Sequence, residues 1–203
     1  MIRNIVFDIG NVLVDYCWRD HIAGYGYSGE MLERIGRAMM LNPVWKEMDR
    51  GVWTNEELLQ GFIAADPEIE KDIRLVFSDM KTIVRERPES AAWIRSLKEQ
   101  GYRTYYLSNY SYRARTEAAD QLGFLEELDG GIMSYTVQMI KPHADIYEKL
   151  METYGLLPEE SVFLDDSAAN VEAAGKLGFH TIQVSSQEQA KEELNNLLKE
   201  ING

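Results

Sequence analysis

Four sets of polar side chains have types and positions that could do chemistry, and each follows a short apolar run. The sets are Asp8 with Gly10 and Asn11, Ser108 with Asn109, Lys141 alone, and the adjacent pair Asp165 and Asp166. A carboxylate can attack an electrophile or bind a metal ion, and a fixed lysine can offset charge that develops on a transferring group. Adjacent carboxylates suit a hard cation such as Mg²⁺. Together the four sets would meet the requirements of phosphoryl transfer, which depends mainly on positioning and charge stabilisation.

Each set alone also has an ordinary structural explanation. Asp8 could cap the turn that follows a strand, and Ser108-Asn109 is a common start of a turn or helix. Lys141 could be a solvated surface side chain, and the acidic pair could cap the next helix. Because the four sets come in order at the ends of successive predicted strands, we favour a shared site.

The elements that must position these residues alternate along the chain. Apolar, β-branched runs predict strands at 2–7, 103–107, 131–135, 161–164 and 180–184. Helical patterns that end at glycine lie between them at 89–100, 112–122, 144–154 and 168–177, and an amphipathic helix is predicted at 187–201. This alternation predicts an α/β fold, a three-layer Rossmann-like parallel sheet with helices on both faces. Ligands of such sheets gather at the carboxyl ends of the strands.

The stretch at 16–87 breaks this rhythm, with helical periodicity and no clear strand. Thr54 and Glu57 form a capping box that predicts a helix to about residue 65. Pro67 predicts the start of a further helix that runs to about residue 84. We therefore predict an α/β core at 1–15 and 88–203 and an inserted all-helical cap at 16–87.

Composition excludes several classes of partner. The 203 residues carry a formal net charge of −13, which disfavours nucleic-acid binding. The N-terminus resembles no signal peptide, no apolar run is long enough to span a bilayer, and the single cysteine, Cys17, reads as a packed thiol. We expect a cytoplasmic protein without membrane contact, and a monomer by default.

In these motifs and their order the chain resembles the haloacid dehalogenase superfamily along nearly its whole length. The motifs stand as 5–13 (IVFDIGNVL), 107–109 (LSN), 141–142 (KP) and 163–174 (FLDDSAANVEAA). An insertion directly after the first motif resembles the helical-cap subgroup, subfamily IA. The form of that motif is similar to a branch that includes sugar-phosphate phosphatases such as α-D-glucose-1-phosphate phosphatase.

The resemblance implies an Mg²⁺-dependent phosphatase that acts on a small phosphorylated metabolite. It makes Asp8 both the nucleophile and a metal ligand, with Asp166 a direct ligand and Asp165 a direct or water-mediated one. The carbonyl of Gly10 would be a further ligand.

The remaining roles concern the phosphoryl group and the substrate. The resemblance implies that Ser108 and the backbone of Asn109 hold phosphoryl oxygens while Lys141 stabilises the nucleophile and the transferring group. Three further side chains near the junction of core and cap are candidates for substrate contact: Asn11, Trp18 and His21.

One position departs from the family pattern. Most phosphatases of the superfamily carry a second aspartate two residues after the nucleophile as general acid and base, and this chain has Gly10 there. Asp15, a metal-bound water or an acid from the cap could replace it, and the sequence does not choose among them. His143, where the family usually has an acid, reads as a surface residue.

Two other functions remain open at this stage. A haloacid dehalogenase uses the same nucleophile without a metal, but it gains nothing from clustered carboxylates such as Asp165 and Asp166. A non-catalytic protein that binds phosphate or a partner on this scaffold is supported only by Gly10.

Overall fold

A computed structural model describes all residues, 1–203, and is built around a five-stranded parallel sheet. The strands are β1 (Asn4–Phe7), β4 (Arg103–Ser108), β5 (Gly130–Met133), β6 (Ser161–Asp165) and β7 (His180–Gln183). Their order across the sheet is β5-β4-β1-β6-β7. The central strand β1 pairs with β4 on one side and β6 on the other, with Phe7 opposite Tyr106 and Leu164. The predicted parallel α/β fold is confirmed.

Helices cover both faces of this sheet. They are α6 (Ser90–Glu99), α7 (Tyr112–Glu117), α8 (Ser134–Val137), α9 (Ala144–Tyr154), α10 (Ala168–Lys176) and α11 (Gln187–Asn202). The prediction of one helix at 112–122 was too long, since α7 ends at Glu117 and is followed by 3₁₀ turns at Ala119–Gln121 and Gly123–Glu127. The mixture of turns explains why the apolar spacing there still looked helical.

The side chains of β1 alternate between two apolar layers, as the two-residue period of a strand requires. Ile5 and Phe7 pack into the larger cluster, which includes residues of α6 and α11. Val6 points to the other face, into the cluster that contains Tyr147 of α9 and Phe179. The central strand β1 is therefore buried on both faces, and its carboxyl end lies in the middle of the sheet edge.

The inserted segment contains five helices between two short strands. The helices are α1 (Trp18–Gly24), α2 (Gly29–Ala38), α3 (Trp45–Arg50), α4 (Asn55–Ala65) and α5 (Glu70–Val76). The strands β2 (Val14–Tyr16) and β3 (Val84–Glu86) form an antiparallel ribbon where the chain leaves and re-enters the sheet region.

Two sequence predictions for this segment were wrong. The helix predicted to reach residue 84 ends at Val76, and the stretch said to lack strands contains β3. A strand of three residues is too short to show alternation in the sequence, and β3 is defined as a strand by its pairing with β2. The capping box is confirmed, since Thr54 Oγ1 accepts from the Glu57 amide at 3.2 Å and the Thr54 amide donates to Glu57 Oε2 at 2.7 Å. None of the helices combines the length and apolar character needed to cross a membrane.

Candidate active site

The carboxyl end of the sheet gathers a buried lysine between two buried aspartates. Lys141 Nζ lies 2.9 Å from Asp8 Oδ1 and 2.6 Å from Asp165 Oδ2. Lys141 is 3% exposed, Asp8 8% and Asp165 0%. Asp8 follows β1 directly and Asp165 ends β6, so the pairing of these two strands places both carboxylates at one edge.

The charges in this cluster depend on one another. Burial raises the pKa of Asp8 to about 6, Lys141 opposes that shift, and Asp165 adds to it. Burial alone would lower the pKa of Lys141, but the charges of Asp8 and Asp165 outweigh it and the pKa is raised. The lysine therefore stays cationic, as buried charges do only when paired.

Lys141 reaches the cluster from a loop, whereas the sequence predicts it at the end of a strand. It lies eight residues after Met133, the last residue of β5. The side chain of Asn109 fixes this loop, since its Nδ2 donates to the Lys141 carbonyl at 3.0 Å and its Oδ1 accepts from the Lys141 amide at 2.8 Å. Asn109, which directly follows β4, thus positions the backbone of Lys141 through its side chain.

Three carboxylates converge beside the lysine. Asp8, Asp165 and Asp166 each offer an oxygen, and these atoms lie within 4.8 Å of one another. The Asp165 oxygens are already occupied by donors, from Lys141, from the Ser167 amide at 2.8 Å and from Asn170 Nδ2 at 3.0 Å to each oxygen.

Asp166 is held more loosely and is partly exposed. Its Oδ2 accepts from Asn11 Nδ2 at 2.8 Å. Asn11 itself adopts a left-handed backbone with φ of 56°, a conformation that asparagine tolerates better than most residues. This turn after β1 brings Gly10 and Asn11 to the rim of the site, while Ser108 is buried at the end of β4 near Asp8.

A cavity of about 240 Å³ opens above Asp8 between the sheet edge and the inserted helices. The sheet side contributes Asp8, Gly10, Asn11, Asn109, Tyr110, Ser111, Ala114 and Asp166, and the inserted segment with its ribbon contributes Tyr16, Met40, Trp45, Asp49, Ile83 and Val84.

Two residues proposed for substrate contact do not line this cavity. Trp18 is buried against Gly36 and α2. His21 is 1% exposed, with its ring nitrogens 2.8 Å from Thr82 Oγ1 and 3.3 Å from the Val76 carbonyl oxygen. Both side chains belong to the packed interior of the helical segment. The sequence could not show this, because apolar spacing alone does not say which face of a helix meets the cavity.

A model of the haloacid dehalogenase-like hydrolase family matches residues 2–178. The chain belongs to this family. The match covers most of the sheet and every residue of the charge cluster, so the family assignment and the geometry concern the same site.

Two curated relatives and one solved structure illustrate the family. Acyl-CoA dehydrogenase family member 10 of Mus musculus is 28% identical over 207 residues, covering 97% of this chain but only 19% of that protein. D-ribitol-5-phosphate phosphatase of Bacteroides thetaiotaomicron is 26% identical over 219 residues, covering 98% of this chain and 99% of that protein. A HAD family enzyme of Bacteroides thetaiotaomicron, solved in complex with magnesium and inorganic phosphate, aligns with a TM-score of 0.70 and 21% identity, covering 92% of this chain and 96% of that one.

The hydrolase carries a further acid in the cavity that the sequence did not single out. Asp49, near the end of α3, faces Asp8 and Lys141. Burial, and then the charge of Asp8, raise the pKa of Asp49 to about 8, against an opposing effect of Lys141. Two phenol groups, Tyr16 and Tyr110, share the cavity, and their buried hydroxyls have no hydrogen-bond partner.

Two other candidates for proton transfer lie elsewhere in this hydrolase. Asp15 Oδ1 is paired with Arg87 Nε at 2.6 Å on the ribbon and does not line the cavity. His143 is exposed at the N-terminus of α9, as predicted.

Proposed function

We propose that this hydrolase is an Mg²⁺-dependent phosphatase that transfers the phosphoryl group of a small phosphomonoester to Asp8. The observation that supports it best is the meeting of three carboxylates with a buried lysine beside a small cavity that Asp8 and Asp166 line. Such a set offers a nucleophile, a fixed cation and oxygen ligands for a metal, which are the parts that phosphoryl transfer uses.

The donor set fits Mg²⁺, which prefers carboxylate oxygens and retains several waters. Asp166 has an oxygen, Oδ1, that accepts no hydrogen bond, a carboxylate oxygen of Asp8 lies within 4.8 Å of one of Asp166, and the backbone of Gly10 lies at the same rim. Asp165 is engaged by three neighbours, so it would orient the site or act through a water instead of binding directly. Mg²⁺ bound here would offset the negative charge of the phosphoryl oxygens.

In this proposal Asp8 Oδ2 attacks the phosphorus in the first step. Oδ1 is held by the Ile9 amide at 2.7 Å and by Lys141 Nζ at 2.9 Å, which leaves Oδ2 to approach phosphorus. A bond forms between this oxygen and phosphorus while the bond from phosphorus to the ester oxygen breaks, giving an aspartyl phosphate and an alkoxide that must take up a proton to leave as the alcohol. Water then attacks the phosphorus, phosphate leaves and the Asp8 carboxylate is restored. Lys141 holds Oδ1 and offsets charge throughout.

The cavity favours a small polyol or sugar phosphate. Its volume of about 240 Å³ is small for a ligand site, and aromatic side chains such as Tyr16 and Trp45 form part of its wall. The relative that this chain matches end to end is a D-ribitol-5-phosphate phosphatase, which supports a phosphorylated polyol of similar size. Glucose 1-phosphate, suggested by the form of the first motif, stays a prediction.

We also propose that residues 16–87 act as a cap that selects the substrate. The inserted segment supplies one wall of the cavity, including Met40, Trp45 and Asp49. A wall of this kind can exclude water and contact the leaving group while the sheet edge holds the phosphoryl group.

The test is phosphate release from about fifty phosphorylated metabolites, with Mg²⁺ and with EDTA. The proposal predicts Mg²⁺-dependent release from a few polyol or sugar phosphates and none in EDTA. Turnover of 2-haloacids that survives EDTA would instead show a dehalogenase. Mg²⁺ binding without release from any compound would show a phosphate-binding protein.

A further inference from the structure

The structure leaves the proton donor of the proposed reaction open at the position where the family usually has it. Gly10 carries no side chain, and a Cβ built there meets nothing within 4 Å, so no steric conflict forces glycine. The alternative on the ribbon, Asp15, is paired with Arg87 and does not line the cavity. A donor must therefore come from another wall.

Asp49 is the acid that stands on the opposite wall. It lines the same cavity as Asp8 and Gly10. Its carboxylate forms no hydrogen bond or ion pair with any protein group, and its Coulombic neighbours are Asp8 and Lys141. A carboxyl group that faces the nucleophile and has no partner of its own is available to a ligand between them.

The backbone of Asp49 is fixed although its side chain is free. The hydroxyl of Ser134, at the start of α8, donates to the Asp49 carbonyl oxygen. Two residues later Gly51 caps α3 with φ of 75°, and a Cβ there would lie 2.9 Å from Tyr135 Cβ. These contacts tie α3 to the sheet side of the site and set the distance between Asp49 and Asp8.

We propose that Asp49 is the general acid and base of this hydrolase, in place of the carboxylate absent at position 10. This inference rests on the proposed phosphatase function. As the bond from phosphorus to the ester oxygen breaks, the Asp49 carboxyl gives its proton to that oxygen and becomes a carboxylate. When water attacks the aspartyl phosphate, the carboxylate takes a proton from that water, so both groups return to their starting state.

The charge state of Asp49 agrees with this role. Burial, and then the negative charge of Asp8, raise the pKa of Asp49 to about 8, while Lys141 opposes the shift. The other titratable groups that face it are the phenols of Tyr16 and Tyr110. Because the raised pKa keeps the proton on Asp49 near neutral pH, the acid form is present for the first step and is lost as pH rises through about 8.

The test compares leaving groups in Asp49→Asn. An alkyl phosphate, whose alkoxide needs a proton, should lose about 10²–10⁴ in kcat/KM, whereas p-nitrophenyl phosphate, whose leaving group needs none, should lose less than about tenfold. Retained turnover of p-nitrophenyl phosphate also shows that the variant folds. Glu47→Gln, the same change on α3 outside the cavity, is the matched control and should leave both rates unchanged.

Equal losses on the two substrates, or no loss on the alkyl phosphate, would overturn the assignment. In the wild type, kcat/KM for the alkyl phosphate should fall above about pH 8 while that for p-nitrophenyl phosphate does not. Identical profiles for the two would overturn it without any variant. If the wild-type protein releases phosphate from neither substrate with Mg²⁺, the proposed function fails, and not the assignment of Asp49 alone.

A rescue experiment tests the same assignment from the position that lacks the usual acid. Because the space at Gly10 is open, adding Gly10→Asp to Asp49→Asn should raise kcat/KM for the alkyl phosphate at least about tenfold above that of Asp49→Asn alone. No recovery of alkyl phosphatase activity in the double variant would contradict the shared role of the two positions.

Discussion

Among single residues, Lys141 has the largest effect on the charge balance of the site. It is the only cation in contact with Asp8 and Asp165, and it is almost wholly buried with them. Removing one partner of a buried charge cluster leaves the others unpaired, which costs far more than the cluster contributes as a whole. The lysine therefore serves both the fold and the proposed chemistry.

Lys141→Ala should lower kcat/KM by several orders of magnitude and reduce the free energy of unfolding by about 3–5 kcal/mol. The reason is that Asp8 and Asp165 are left buried with like charge and no cation. Steady-state kinetics and urea unfolding measure the two effects, with the exposed Lys176 as a control in Lys176→Ala. A loss in kcat/KM of less than tenfold would show that Lys141 has no part in catalysis.

Asp8→Asn should abolish turnover of every substrate and leave the fold intact, since the amide keeps the shape of the side chain but cannot attack phosphorus. The matched control is the exposed Asp145 on α9, where the same change should alter nothing. Phosphate release and near-ultraviolet circular dichroism report the two properties. Residual activity at wild-type rates would remove Asp8 from the nucleophile role.

Sequence reasoning reached some of these residues and not others. Asp8, Lys141 and the pair Asp165-Asp166 come together as expected because each follows a recognisable motif. Asp49 was missed because many acids lie in the helical segment, and only packing shows which one faces Asp8. His21 does not line the cavity, since its ring nitrogens lie against Thr82 and the Val76 carbonyl, and the sequence contains no signal for this packing.

At the scale of elements, the turn after α3 couples the helical segment to the sheet. Gly51 has the left-handed backbone of a helix C-cap and lies against Tyr135 of α8. Since Asp49 is two residues earlier, the position of its carboxyl group depends on this close approach.

Gly51→Ala should destabilise the protein and lower the rate with an alkyl phosphate. A side chain there meets both an unfavourable φ and the Tyr135 backbone at 3.1 Å, so the loss should exceed the roughly 1–2 kcal/mol of left-handed strain alone. Gly101→Ala is the control, with φ of 91° and nothing within 4 Å, and should show the strain without the loss of rate. Equal effects of the two changes on rate would contradict the coupling.

The parallel sheet was predictable from local pattern, whereas the ribbon was not. The three central strands, β1, β4 and β6, are largely buried apolar runs of four to six residues, so their type follows from sequence. The strands β2 and β3 have three residues each and are separated by the whole helical segment. Their pairing is a long-range contact, and local periodicity contains no signal for it.

At the scale of the whole molecule, the acidic charge must be reconciled with an anionic substrate. The net charge of −13 repels a phosphate ester at a distance. At the site, Lys141 is a local cation and Mg²⁺ would add two further positive charges, so together they would offset the carboxylates of Asp8, Asp165 and Asp166.

Mg²⁺ should therefore stabilise the folded protein, and EDTA should reverse the effect. At 100 times its Kd a ligand of the native state adds about 2.7 kcal/mol, which for a chain of this size raises Tm by several degrees. Differential scanning calorimetry at constant ionic strength, with NaCl as the control salt, measures the shift. Asp166→Asn should lose most of it; an undiminished shift in that variant would place the metal elsewhere.

Acid quenching during turnover, followed by peptide mass spectrometry, shows directly whether Asp8 accepts the phosphoryl group. With Mg²⁺ and a phosphomonoester that the protein hydrolyses, we expect a phosphoryl adduct on the peptide that contains Asp8, which disappears in Asp8→Asn. Steady turnover with no adduct on that peptide, or with the phosphoryl group on another residue, would contradict the account.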